Sequence, residues 1–379
     1  MFETPTIDRS TFDGVFRSVE EAESLPAWCY TSEEYYRLEV QNLFSRTWNF
    51  FGHIDQVAAP GDYIAVDYVG VPILLVRGGD GEIRAFANNC RHRGTPVADG
   101  AGNCRAFTCP YHGWVYDLDG GLHSAPGMER ARDFDPARYG LRRLRLETCG
   151  CFVFVNFDDD APPLADYLGN FPELMASYRL DELALVRKRV HEVDCNWKVH
   201  IENAMEEYHL PMVHGATLNP KEMEHSAAPT EGAWLDIREH HDAHTRSLLV
   251  EDLEHELPHI EGLEGRAAMG TNYVCLNPST MLGMTLDSIW YLELQPQGPN
   301  RTRVIHGACF PKTTVARPDF EEKVAYYYKR WDTTLAEDNA VAALQQRGLR
   351  SPLAPRGRFS HLEPLVPQLA QWWVERTVR

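Results

Sequence analysis

Apolar residues between Trp48 and Asn156 fall in short runs that are separated by turn residues. Asp62–Asp67, Pro72–Arg77 and Ile83–Ala87 either alternate or run apolar over lengths that are typical of β-strands. Glycine and aspartate residues such as those of 78–81 separate them and favour tight turns. Cys151–Phe157 continues the pattern. We therefore predict a small all-β domain over residues 46–160.

The segments on either side of this domain have a different periodicity. Thr31 and Glu34 have the spacing of a capping box, and the apolar residues of 33–44 fit one short helix. We expect an N-terminal arm and helix, residues 1–45, to pack with the C-terminal domain.

The acidic, proline-containing stretch Asp158–Pro163 reads as a domain boundary. After it, Ile289–Gln295 and Thr302–Phe310 predict a hairpin around residues 298–300. Residues 317–347 predict a long helix that ends at Gly348. The fold class is thus α+β, with an all-β domain followed by a domain of helices on an antiparallel sheet, residues 161–379.

Charge and cysteine content exclude several classes of protein. The 55 acidic residues outnumber the 37 basic ones, for a net charge of −18, which argues against nucleic acid or an anionic membrane as a partner. The chain starts without a basic, apolar leader, and no apolar run approaches the ~18–20 residues of a membrane span. Nine cysteines without an export signal are expected to be thiols or metal ligands. We expect a cytoplasmic protein.

Two short motifs in the all-β domain suggest a metal cluster. Cys90-x-His92 is followed, after sixteen residues, by Cys109-x-x-His112. A Rieske [2Fe–2S] cluster needs two cysteines on one iron and two histidines on the other, and each motif supplies one of each. A structural zinc site is the alternative, but zinc motifs usually group Cys with Cys and His with His. Cys104, between the motifs, is expected to be a plain thiol.

A second set of residues follows the domain boundary. Residues 196–208 form a plausible helix, on which Glu206 and His209, three apart, share a face. His209 and His214 are five apart, and a regular helix would splay them by ~140°. Pro211 lies between them and is expected to break the helix, which would let the His214 imidazole turn toward that of His209. Two imidazoles and a carboxylate would hold an iron ion, whereas the alternative is an ordinary amphipathic helix.

Both sets together resemble the Rieske non-haem iron oxygenases that hydroxylate rings or remove N-methyl groups. Further similar residues are Trp48, Gly52-His53, Gly61-Asp62-Tyr63, Val115–Gly120, Asn196-Trp197-Lys198 and Glu202-Asn203. The resemblance runs from about residue 25 to the C-terminus. It implies a terminal mono- or dioxygenase, with a [2Fe–2S] cluster on Cys90, His92, Cys109 and His112 and a mononuclear Fe(II) on His209, His214 and a downstream carboxylate. Asp338 matches the family pattern before Gln346–Leu349 better than Glu337 does.

The same resemblance implies how electrons arrive. They pass from NAD(P)H through a separate flavin reductase or a ferredoxin, because the chain has no Gly-rich dinucleotide motif after a strand. A head-to-tail homotrimer is implied, in which Glu206 joins His112 of one subunit to His209 of the next. Aspartate is usual at this position, and glutamate occurs in relatives that act on carnitine, choline or betaine.

The substrate is therefore expected to be a quaternary or N-methylated amine, which is hydroxylated or N-dealkylated. One alternative enzymatic function is the dihydroxylation or O-demethylation of an aromatic acid. A second alternative, in a different functional class, is a Rieske electron carrier without oxygenase activity. Aromatic rings would box a cation at ~0.5–2 kcal/mol each, or would equally line an aromatic pocket. The candidate pocket residues are Met205, Met212, Trp234, Tyr273, Met281, Met284, Trp290 and Tyr291, and at least half are expected to be plain core.

Overall fold

The computed structural model describes residues 7–218, 225–226, 230–241 and 243–378. These residues form two compact units. One unit contains the described residues up to Phe50 together with those from Pro162 onward, and the other is Phe51–Ala161. Among the helices of this described part, none is long and apolar enough to cross a membrane.

The unit Phe51–Ala161 is built from β-strands, as predicted. The predicted strands 62–67, 72–77, 83–87 and 151–157 are confirmed to within one residue at each end. The strands, of which β1 begins two residues before this unit, are β1 (Asn49–His53), β2 (Asp62–Tyr68), β3 (Val71–Arg77), β4 (Ile83–Ala87), β5 (Ala101–Asn103), β6 (Ala106–Thr108), β7 (Val115–Asp117), β8 (Leu122–Ser124), β9 (Arg143–Cys149) and β10 (Phe152–Asn156). They pair in the order β1-β10-β9-β4-β3-β2-β5, with β6-β7-β8 as a small separate sheet.

The other unit contains an antiparallel sheet of order β11-β17-β16-β15-β14-β13-β12. Its strands are β11 (Leu183–Val193), β12 (His225–Ser226), β13 (Trp234–His240), β14 (Gly270–Leu276), β15 (Thr280–Met284), β16 (Ile289–Pro296) and β17 (Thr302–Pro311). The predicted hairpin is confirmed, with Ile289 opposite Cys309 and Pro296 opposite Thr302. Every residue of β16 is buried, so both faces of this strand are covered.

The helices belong to the same unit as this sheet. They are α1 (Trp28–Thr31), α2 (Glu33–Leu38), which continues as a wider π-helical segment over Glu39–Phe44, α3 (Leu164–Leu168), α4 (Phe171–Leu174), α5 (Trp197–Ala204), α6 (Leu210–Val213), α7 (Lys312–Val315), α8 (Phe320–Leu349) and α9 (Val366–Thr377). Short 3₁₀ turns lie at Arg9–Phe12, Ile54–Val57, Pro136–Arg138, Ala176–Tyr178, Leu180–Glu182, Val250–His255 and Gly265–Met269.

Three predicted helix ends are wrong. The cap of α2 is Ser32, whose Oγ accepts from the N–H groups of Glu34 and Tyr35, because the Thr31 hydroxyl already donates to Ala27 inside α1. The long helix was predicted over 317–347, but α8 is Phe320–Leu349. Pro318 disfavours helical backbone in the residue before it, which delays the start, and Gly348 lies inside the last turn instead of stopping it.

Buried polar contacts fix α5 against α8 and the N-terminal helices. The Lys198 ammonium lies 2.5 Å from Oε1 of Glu39, and both side chains are almost fully buried. Gln346 on α8 accepts from the backbone N–H of Asn196 and donates to the carbonyl of Tyr30. Removing one partner of a buried pair leaves an uncompensated charge, so these contacts hold the start of α5 in one position relative to α8.

Candidate metal centre and active-site cavity

In the segment that carries the two candidate histidines, the helix is shorter than predicted. The predicted helix 196–208 ends at Ala204, four residues early, so Glu206 and His209 do not share the face of a regular helix. The irregular turn after Met205 redirects the chain, and Pro211 lies in the first turn of α6. Proline is tolerated there because the first N–H groups of a helix have no intrahelical partner. The expected break at Pro211 is therefore wrong.

His209, His214 and Asp338 come together at one point. A ring nitrogen of each histidine and a carboxylate oxygen of Asp338 lie within 4.8 Å of one another. Oδ1 of Asp338 lies 3.0 Å from Nε2 of His214 and 3.7 Å from Nε2 of His209. Two imidazoles and one carboxylate form the donor set of mononuclear non-haem iron sites. These residues fit a ferrous ion.

Two further carboxylates lie behind the histidine rings. Oε1 of Glu206 lies 2.7 Å from Nδ1 of His209, and Oε2 of Glu337 lies 2.7 Å from Nδ1 of His214. Thr217 donates to the other oxygen of Glu337. Ligand histidines usually give their second ring nitrogen to a carboxylate, which fixes the ring with its other nitrogen toward the metal. Glu337, the fallback ligand, thus supports a histidine and stands outside the group of three.

The pKa values of His214 and Asp338 are shifted by these same contacts. Burial lowers the pKa of His214, but Asp338 and Glu337 outweigh it and raise that pKa overall. Burial raises the pKa of Asp338, but the contact with His214 outweighs it and leaves the carboxyl pKa below its ordinary value. Both shifts have the same cause, which is the close contact of the His214 ring with these carboxylates.

The four candidate cluster ligands lie on two facing loops of the all-β unit. Cys90 and Cys109 are buried, whereas His92 and His112 are exposed, with their Nδ1 atoms 3.1 Å apart. The Tyr116 hydroxyl accepts from the N–H of Arg91 and lies 3.2 Å from the Cys90 sulfur. Burial raises the pKa of Cys90, but Tyr116 and backbone N–H groups outweigh it and lower that pKa overall. Buried thiolates and two converging imidazoles fit a [2Fe–2S] cluster.

A cavity of about 510 Å³ adjoins the three-residue centre. Of the predicted pocket residues, Tyr273, Met281 and Trp290 line it, and Met205, Met212, Trp234, Met284 and Tyr291 do not. Strand side chains alternate between faces, so Ile237 and Glu239 of β13 face the cavity and Trp234 faces away, where it donates to Asn170.

Four of these predicted pocket residues therefore have other positions. Met205 and Met284 are fully buried, as is Tyr291 on the opposite face of β16 from Trp290. Met212 is 88% exposed on α6. Periodicity along the strand, once its register is known, accounts for Met284 and Tyr291, whereas Met205 and Met212 lie at the end of α5 and on α6.

Several cavity residues escaped the sequence analysis. Glu239 is buried, lies 2.5 Å from Nε of Arg246, and accepts from the Tyr273 hydroxyl. Arg330 and Trp331 line the cavity from α8, the helix that also carries Asp338. The available signal was the charged pair Arg238-Glu239 within the strand Trp234–His240, and an arginine two helical turns before the metal-ligand candidate.

The all-β unit with its paired Cys and His loops, and the two-histidine, one-carboxylate centre on a helix-and-sheet unit, define a Rieske-type non-haem iron oxygenase. The family model of the ring hydroxylating alpha subunit (catalytic domain) matches residues 180–378, and that of the Rieske [2Fe-2S] domain matches residues 47–138. The chain belongs to the family of ring-hydroxylating alpha subunits. The alternative of an electron carrier without a second metal site is therefore wrong.

Known relatives act on different substrates. The glycine betaine monooxygenase oxygenase subunit of Chromohalobacter salexigens is 30% identical, across 89% of this chain and 82% of that protein. Two solved structures show the same fold. A quaternary ammonium Rieske monooxygenase, described for carnitine oxidation and inter-subunit electron transfer, has a TM-score of 0.81 at 23% identity over 99% of this chain and 100% of its own. Naphthalene 1,2-dioxygenase from Rhodococcus sp. has a TM-score of 0.81 at 21% identity over 98% of each chain.

Proposed function

We propose that this oxygenase hydroxylates an N-methyl group of a small quaternary or N-methylated amine. The observation that carries the proposal is the aromatic lining of the cavity next to the metal centre. Tyr273, Trp290 and Trp331 line it, with the Tyr273 and Trp290 ring centroids 6.4 Å apart. A cation over such faces gains ~0.5–2 kcal/mol per ring, more when water is excluded. The betaine and carnitine relatives support this substrate class.

With an iron ion bound, the centre supplies reductive activation of O2, which places one oxygen atom in a C–H bond and releases the other as water for two electrons and two protons. His209, His214 and Asp338 would hold the ion, and Glu206 and Glu337 would orient the two rings. The apolar and aromatic wall would keep bulk water from the reacting methyl group. The hydroxylated N-methyl group then leaves as formaldehyde, which gives the N-dealkylated amine.

Electron delivery is proposed to run between subunits of a homotrimer, through Glu206 from His112 of a neighbouring copy to His209. Glu206 already contacts Nδ1 of His209. Tyr208 and Met212, on either side of His209, are 58% and 88% exposed, as expected for side chains that a neighbouring subunit covers. A flavin-containing NAD(P)H reductase or a ferredoxin would reduce the cluster, since the family acts as an oxygenase component.

The test is turnover with purified oxygenase, a generic reductase, NADH and O2. Glycine betaine, carnitine and choline are compared with aromatic acids, and formaldehyde and substrate-dependent NADH loss are followed together. Formaldehyde formed in step with NADH loss on quaternary amines supports the proposal. Coupled activity on aromatic acids alone would overturn it and favour ring dihydroxylation or O-demethylation.

A further inference from the structure

Arg330 on α8 is a buried cation that lines the cavity. It is only 7% exposed, and its Cζ lies 6.0 Å from the centroid of the Trp290 ring. In the described part of the chain, no carboxylate lies within ion-pair distance of its guanidinium, and its Nε has no hydrogen-bond partner. Burying a charge without a contact counterion is costly, so an anion bound in the cavity next to this guanidinium would be stabilised.

The other arginine of the cavity wall differs in this respect. Arg246 lies 2.5 Å from Oε1 of Glu239, so its charge is balanced inside the protein. Burial lowers the pKa of Arg330, yet guanidinium groups stay charged in proteins. Arg330 therefore presents to the cavity a positive charge that no contact ion pair balances, with Asp338 and Glu239 acting on it only at longer range and the Trp290 ring facing it.

The position of Arg330 along α8 separates it from the metal centre. Arg330, Thr334 and Asp338 follow each other at four-residue intervals, and all three line the cavity. Eight residues of α-helix span about 12 Å, so Arg330 and Asp338 mark two separate points on one wall. A ligand that reaches both points has one end at the metal centre and its other end at the guanidinium.

We propose that Arg330 forms an anion subsite, which binds a carboxylate on the substrate while the N-methyl end lies at the metal centre. This inference rests on the proposed function and makes it more specific. The preferred substrate is a zwitterion with a quaternary ammonium and a carboxylate, and an uncharged alcohol tail as in choline is disfavoured. The planar guanidinium fork matches a carboxylate with two parallel hydrogen bonds.

Three matched probes test the contributions of the ammonium and the carboxylate separately. γ-Butyrobetaine carries both, its methyl ester carries only the cation, and 5,5-dimethylhexanoate, in which carbon replaces the ammonium nitrogen, carries only the anion. Each is titrated calorimetrically into the anaerobic holoenzyme, as wild type, Arg330→Gln, Arg330→Lys and, as a control on an exposed arginine of the same helix, Arg347→Gln.

In Arg330→Gln we expect γ-butyrobetaine and 5,5-dimethylhexanoate to bind about 10- to 100-fold more weakly, the size of a hydrogen-bonded charge, and the ester to bind unchanged. Arg330→Lys should recover part of the loss, and Arg347→Gln should behave as wild type. The Tm of Arg330→Gln should stay equal or rise, because an unbalanced buried charge is removed. Equal weakening of all three probes, or a fall in Tm with no change in binding, would show that Arg330 is structural.

The two proposals fail in different ways. If the wild type binds γ-butyrobetaine and its ester equally well, the anion subsite is wrong and the proposed function stands. If it binds 5,5-dimethylhexanoate through Arg330 but neither ammonium probe, the subsite stands and the amine substrate is wrong.

Discussion

The carboxylate of Glu337 lies 2.7 Å from Nδ1 of His214, and Asp338, the next residue of α8, lies 3.0 Å from Nε2 of the same ring. Consecutive residues of one helix thus hold the two sides of one imidazole. The first orients the ring, and the second shares with it the proposed metal position.

Glu337→Ala is expected to weaken iron binding while leaving all three proposed ligands in place. Outer carboxylates of this kind contribute about 10- to 100-fold in metal affinity or activity. Ferrous ion affinity is measured by chelator competition, with the exposed Glu322→Ala of the same helix as control. An unchanged affinity in Glu337→Ala would show that Thr217 and the fold alone orient the ring.

Glu206→Gln is expected to retain both metal centres and lose turnover by about 10- to 100-fold, the range for a removed orienting carboxylate. The reason is that the amide keeps the contact to His209 but lacks the charge that would join two imidazoles. Stopped-flow reoxidation of the reduced cluster in the presence of substrate reports the transfer step directly. Glu206→Asp, which has the residue usual in the family, serves as the matched control, and normal reoxidation in Glu206→Gln contradicts the bridging role.

Tyr116→Phe is expected to lower the reduction potential of the cluster. The Tyr116 hydroxyl lies 3.2 Å from the Cys90 sulfur, and hydrogen bonds to cluster sulfurs favour the reduced, more negative state. We expect a decrease of roughly 60 mV, a tenfold change for a one-electron couple. Spectroscopic redox titration measures it, and Tyr63→Phe, which alters another ring of the same core, should leave the potential unchanged.

Glu293→Gln is expected to remove part of the pH dependence of stability. Burial, offset in part by Lys188 and Gln295, raises the pKa of Glu293 from 4.5 to about 7. Between these values the unfolded chain has lost the proton and the folded chain keeps it, so wild-type stability falls as pH rises through this window and is level above it.

The glutamine variant lacks this loss, and its unfolding free energy relative to wild type should increase by about 3 kcal/mol from pH 4.5 to 7.5. Urea unfolding at several pH values measures it. A difference between variant and wild type that does not change with pH would show that Glu293 titrates near its ordinary pKa.

The sequence predicts structural features that depend on local interactions better than features that depend on residues far apart in the chain. Strands such as Ile83–Ala87 and the hairpin of β16 and β17 were predictable because alternation and turn residues are local. The pairing of His209 and His214 with Asp338, more than 120 residues away, needed the resemblance to a family. The turn after Met205 was not predictable, since no proline or glycine marks it and tertiary packing ends α5 there.

The cavity was the least predictable part. Trp234 and Trp290 look alike in sequence, and only strand register places one away from the cavity and one on it. Arg330 was overlooked because a single arginine in a helix is ordinarily a surface residue. It stands out because no carboxylate of the described residues forms an ion pair with it, and that depends on every element packed around it.

Arg330, Thr334 and Asp338 lie along one wall of the cavity on helix α8. In the proposed binding mode, the number of helical turns between Arg330 and Asp338 sets the distance between the two ends of the substrate. Moving the arginine from position 330 to 334 would shorten that distance by about 6 Å without changing a candidate metal ligand. With the proposed anion subsite, an exchange along this one helix would change the preferred substrate length and leave the residues of the candidate metal centre as they are.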